Sequence, residues 1–240
     1  MVFNDPNTAL LPVLRPFYRA AIDRVSAVPS LMKHPAAPED QLAEHLAVYY
    51  WYDKLQLDED GGLLPYFFRS VPPAVRGHLI WFIGSAVAEW HDNVPAVVFD
   101  RLRRLLEQRL RVARESGSPA EFSAELSRFG LWFTSRRFGD QWSISTLQEV
   151  LDLVGEVDLD MSVGERLVEL APRFPQECVK ALTTMIARAK EPWLIMAVQE
   201  SAKEVLRIAR GSGNPDAVFN ARKLAEDLIS RQYFDFREVL

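Results

Sequence analysis

Cysteine is nearly absent. Cys178 stands alone among 240 residues, so no intramolecular disulfide can form, and the stapled architecture of small secreted domains is excluded. A reducing, cytoplasmic setting is the expectation. Histidine is scarce too: His34, His45, His78 and His91 never fall three or four apart, so no helix face offers a metal-binding pair. Neither a zinc site nor a cofactor is expected. Phosphate-cradling loops of the Gly-x-x-x-x-Gly-Lys-Ser/Thr and Gly-x-Gly-x-x-Gly types are missing. So is the Gly-x-Ser-x-Gly elbow, which leaves Ser85, behind Gly84 in an apolar segment, as a packing position rather than a nucleophile. The longest apolar run, residues 79–88, is about half of a bilayer span and reads as a buried helix, with no membrane role. Residues 1–6 lack the basic and apolar regions of a signal peptide. Acidic residues outnumber basic ones by 33 to 28, which argues against wholesale nucleic-acid binding.

Proline and helical periodicity are what the chain has. Fifteen prolines divide it into segments whose apolar residues recur at three and four rather than at two, the period of helices. Helices are expected over about 8–26, 39–56, 73–89, 95–114, 119–134, 142–155 and 162–171. Pro175 opens another, with Val179, Leu182, Met185 and Ile186 on one stripe. A helix from Trp193 through Ala209 should end at Gly211-Ser212-Gly213, where glycine suits a left-handed cap. Asn214 and Pro215 then supply the N-cap and first residue of the last helix. Pro175 and Pro215 lie 40 residues apart, close to the period of two-helix HEAT-type repeats. The expected fold is all-α: stacked antiparallel helix pairs in a HEAT-like α-solenoid, with a compact irregular helical bundle as the alternative. One domain over 1–240 is expected. A subdivision near 57–62 would separate N-terminal helices, 1–56, from helical repeats, 63–240.

Local chemistry is thin. The acidic turn Asp58-Glu59-Asp60-Gly61-Gly62 lacks the ligand spacing of a calcium loop, and a second acidic loop occupies 156–160. His91 and Asp92 are adjacent, hence about 100° apart on a helix, and His91 reads as a C-terminal cap rather than a base. Cys178, with no histidine nearby, reads as a buried small hydrophobe. The tryptophans at 51, 81, 90, 132, 142 and 193 mostly sit in apolar stripes and read as core. Arg101, Arg103, Arg104, Arg109, Arg111 and Arg114 flank the leucine stripe of one helix and are expected to fan into solvent. Arg101, Arg104, Arg111 and Arg114 are therefore candidate partner-binding residues, for an acidic protein or, less favourably, RNA or a nucleotide. The ending, with Tyr233, Phe234, Phe236, Val239 and Leu240, should fold back as a cap. Phe234 and Phe236 are the remaining candidates for partner binding.

The run Phe129-Gly130-Leu131-Trp132-Phe133 followed by Phe138 and Trp142, the phrase Leu170-Ala171-Pro172-Arg173-Phe174-Pro175, and the ending Phe234-Asp235-Phe236-Arg237-Glu238-Val239-Leu240 carry a resemblance over residues 62–240. They resemble the C-terminal helical-repeat regions of large bacterial antiviral-defence proteins, behind Sir2-like or STAND-type NTPase modules. The resemblance implies a HEAT-like sensor or scaffold arm, either a fragment of such a protein or a free-standing relative, and supplies no catalytic residue. A non-catalytic protein-interaction module is the expected function. An RNA- or nucleotide-binding helical domain and a helical enzyme assembled from distant residues are the alternatives.

Overall fold

A computed structural model describes residues 11–27, 38–51, 62–89, 94–158, 160–189 and 192–240. All regular structure among them is helical. The helices are α1 (Leu11–Ala27), α2 (Pro38–Trp51), α3 (Leu63–Ser70), α4 (Pro73–Glu89), α5 (Ala96–Glu115), α6 (Ser123–Leu126), α7 (Phe129–Thr134), α8 (Asp140–Val154), α9 (Asp160–Leu170), α10 (Pro175–Arg188), α11 (Pro192–Ala197), α12 (Gln199–Gly211) and α13 (Pro215–Ser230). Two 3₁₀ segments, Pro119–Phe122 and Phe234–Val239, complete it. But for Gly62, the candidate subdivision near 57–62 falls outside the described residues, as does the reading of His91.

Caps set several boundaries as local chemistry dictates. The Asn214 side chain accepts hydrogen bonds from the backbone N–H of Asp216 at 3.0 Å and of Ala217 at 3.1 Å. Pro215 follows in the first turn, where its missing N–H costs nothing. Gly155 ends α8 with φ of +80°, a conformation that disfavours a side chain. α10 and α13 begin at Pro175 and Pro215 and pack against each other.

Two expected helices are broken. The segment expected over 119–134 is a 3₁₀ turn, then α6, then α7. Its interruption is tertiary: the Ser127 carbonyl accepts the N–H of Asp158 at 2.8 Å, from the loop that follows α8. Gly130 lets that loop come close, since a Cβ there would collide with the Asp158 carbonyl. The segment expected over 193–209 breaks at Val198, with φ of −100° and ψ of 4°, giving α11 and α12. α3 and the C-terminal 3₁₀ turn are additions to the expected helices.

The buried side chains form one continuous cluster from Tyr18 to Val239. Helices join it in an ordered way. α8 packs against α5 and α10, and α10 against α8 and α13. α7 packs against α4 and α9, α12 against α9, and the C-terminal 3₁₀ turn against α12 and α13. Gly84 of α4 is the seat of Trp132: a Cβ would lie 2.7 Å from the indole Cδ1, and the indole N–H donates to the Ile80 carbonyl at 3.0 Å. Close packing accounts for Gly84. The apolar stretch at 79–88 is the buried middle of α4. Among the described residues no helix is long and apolar enough to cross a membrane.

Candidate functional site

Two of the α5 arginines leave the surface. Arg101 and Arg109 are each 6% exposed, which corrects the expectation that both fan into solvent. The Arg101 guanidinium donates to the carbonyls of Tyr50 and Trp51, at 3.1 and 3.0 Å. Those carbonyls end α2, where backbone acceptors have no helical partner. The Tyr50 hydroxyl returns a bond to the Arg101 carbonyl at 2.9 Å. Arg101 is thus a structural cap, withdrawn from the candidate surface.

Arg109 pairs with Glu125, whose side chain is fully buried, through two guanidinium nitrogens. Its guanidinium lies 4.2 Å from the Phe68 ring centroid. Arg76 approaches the same carboxylate at 3.6 Å and donates to the Phe68 carbonyl. This knot ties α3, α4, α5 and α6 together. Of the other α5 arginines, the candidate Arg114 is ion-paired to Glu149 and Arg103 to Asp100. Arg104 and Arg111 are exposed and stand two turns apart, too few to form the clustered cationic surface that a phosphate backbone requires.

The C-terminal candidates part company. Phe236 is 0% exposed and Val239 is 2%, so Phe236 packs rather than meeting a partner. Phe234 is 52% exposed, with the Arg237 guanidinium 4.7 Å from its centroid. The tail folds back on α12 and α13 as expected. It is held by Gln199 donating to Asp235 at 2.8 Å, by Arg210 on the Val239 carbonyl, and by Lys203 near Glu238.

Exposed apolar side chains include one read as core from the sequence. On α11, Trp193 is 62% exposed and Met196 is 66%. Positions three apart share a helix face, so both leave from the same side. Leu194, Ile195 and Val198, on the other side, line a cleft of about 320 Å³ with Met185 and Ile186 of α10. Gly155, Glu156, Asp158 and Arg188 complete its polar wall. α11 packs against α9, whose first turn carries Met161 at 61% exposure. Trp193, and Trp81 at 39% exposure, correct the reading of the tryptophans as core. The break at Val198 resets the rotational register, so an apolar position of a long helix becomes an outward one of a short helix.

Other groupings of polar residues serve the fold. His78 faces Glu44 at 3.0 Å through Nε2 and Asp40 at 3.7 Å through Nδ1. Its two nitrogens point at different carboxylates rather than converging on one ion. Among the described residues no cluster of three or more His, Cys, Asp and Glu side chains is arranged to hold a metal. Asp140 and Glu169 share Arg136, Arg166 and Arg173 across α8, α9 and the turns beside them. Burial pushes the Cys178 thiol up to about 12, which keeps it protonated and unreactive. Comparison with family models, curated proteins and solved structures returns no match for this chain.

Proposed function

We propose that the chain is a non-catalytic protein-interaction module, a scaffold or sensor arm whose α9–α11 face receives a protein partner. The observation that carries this reading is the outward pair Trp193 and Met196, 62% and 66% exposed, on a helix that packs against α9, where Met161 is 61% exposed. Aromatic residues and methionine are the side chains enriched at interface centres, and an apolar group in water costs free energy that a partner relieves. We read the helix order as a HEAT-like α-solenoid rather than an irregular bundle. The successive packing of α5 on α8, α8 on α10 and α10 on α13, and of α4 on α7, α7 on α9 and α9 on α12, supports that reading, as does the 40-residue recurrence of proline-initiated helices. Likeness to the helical arms of bacterial antiviral-defence proteins suggests the setting.

The test is an affinity pull-down from native lysate with wild-type chain, the double variant Trp193→Ala/Met196→Ala, and Phe219→Ala as a control on a distant exposed aromatic. A protein held by the wild type and the control but lost from the double variant is expected. Identical retained proteins in all three would refute the docking face.

A further inference from the structure

The cleft behind α11 joins an apolar floor to a charged rim. Val157, Met185, Ile186, Ile195 and Val198 make the floor, each at most 9% exposed. Three charged side chains stand around it: Glu156, Asp158 and Arg188. Two of them are engaged. Arg128 bonds Asp158 at 2.5 Å, and Glu156 accepts a hydrogen bond from the Ser123 hydroxyl. Arg188 is exposed and, among the described residues, has neither a hydrogen-bond nor an ion-pair partner. Its guanidinium lies against the backbone of Gly155, where a Cβ would come within 2.7 Å of a terminal nitrogen. Gly155 therefore does more than end α8: lacking a side chain, it leaves the guanidinium room along the cleft wall. Arg128 and Arg188 together balance Glu156 and Asp158, so an anion entering the cleft meets no net repulsion from these four groups.

We propose that this cleft binds a small aliphatic carboxylate, with the chain on the apolar floor and the head group against the Arg188 guanidinium. A guanidinium presents a fork of N–H donors that matches a carboxylate, and an apolar recess with a few polar groups at its edge is the usual form of a small-molecule site. The volume bounds the ligand. About 320 Å³ holds roughly ten groups of the size of a water molecule, which corresponds to a chain of about eight carbons with its carboxylate. A cationic head group would find Asp158 already bonded to Arg128 and would meet like charge at Arg188. The cleft lies on the side of α11 away from Trp193 and Met196, so this binding is separate from protein docking on that outward face.

The full chain can be titrated with octanoate, octylammonium and octanol by isothermal titration calorimetry, all below the concentrations at which they aggregate. Octanoate should saturate a single site and bind roughly tenfold or more tighter than either of the others. Arg188→Gln should weaken octanoate by a similar factor and leave octanol unchanged. Because Arg188 is exposed, that variant should melt as the wild type does, which separates lost affinity from lost fold. Trp193→Ala/Met196→Ala should bind octanoate as the wild type does. Absence of saturable octanoate binding, equal binding of octylammonium or octanol, or unchanged octanoate affinity in Arg188→Gln would overturn the proposal. So would loss of octanoate binding in the Trp193→Ala/Met196→Ala variant, which would put the ligand on the outward face of α11. A failed pull-down with intact octanoate binding would remove the docking face and leave the cleft site standing.

Discussion

Replacing Phe236 by alanine should destabilise the protein far more than the same change at Phe234, two residues away in the same tail. Phe236 is 0% exposed and packs within the continuous core, whereas Phe234 is 52% exposed. Removing a fully buried phenylalanine ring costs about 3–5 kcal/mol, from lost transfer energy and the cavity left behind. A ring half in water has roughly half of its burial energy to lose, about 1 kcal/mol. For a chain of 240 residues, each kcal/mol moves the melting temperature by about 2–4 °C. Phe236→Ala should therefore melt about 6–20 °C below wild type and Phe234→Ala within about 4 °C of it. Urea unfolding followed by circular dichroism supplies the free-energy difference directly. Deleting residues 233–240 should reproduce the larger loss or expose enough of α12 and α13 to cause self-association in light scattering. Equal unfolding midpoints for the two alanine variants would refute the idea that the tail is a cap.

Glu125→Gln, which leaves Arg76 and Arg109 buried without their countercharge, should cost about 3–5 kcal/mol in urea unfolding; a loss below about 1 kcal/mol would show that the knot is dispensable. The guanidinium of Arg136, helped by Arg166, lowers the Glu169 carboxyl from 4.5 to about 2, so its contribution to stability is present above pH 4.5 and is lost as pH falls toward 2. Wild type should accordingly lose more stability than Glu169→Gln across that window, by an amount kept small by the carboxylate's 41% exposure; parallel pH profiles would contradict this. Cys178, fully buried with its thiol pushed up to about 12, should resist Ellman's reagent in the native protein and react once it is unfolded in urea, and rapid native labelling would show that α10 opens readily.

What could be read from the sequence was what local chemistry decides. Pro175, Asn214 and Pro215 mark helix starts because a cap or a fixed φ acts within one turn, and the structure begins α10 and α13 there. The fold-back of the tail was legible because five apolar residues after the last helix need cover. Arg101 and Arg109 were not legible. Their positions beside the leucine stripe suit a solvated face equally well, and their destinations are the end of α2 and Glu125, known only once distant elements meet. Trp193 was misread for a related reason. Apolar spacing continues unbroken from residue 193 to 209, so nothing local announces the interruption at Val198, a residue that packs in the core. The outward placement of Trp193 is therefore what sequence periodicity conceals.

The hydrogen bond from Asp158 to the Ser127 carbonyl limits where the chain can change length. An inserted residue between 155 and 158 would shift Asp158 off its acceptor and drive a side chain toward Gly130, where no room exists for one. Gly117 and Gly213 are the opposite case: each ends a helix in the left-handed region with open space around the position of a Cβ. Affinity tags, fluorescent reporters or new termini for a permuted chain belong at those two turns. The loop carrying Glu156 and Asp158 should be kept at its natural length in any engineered form.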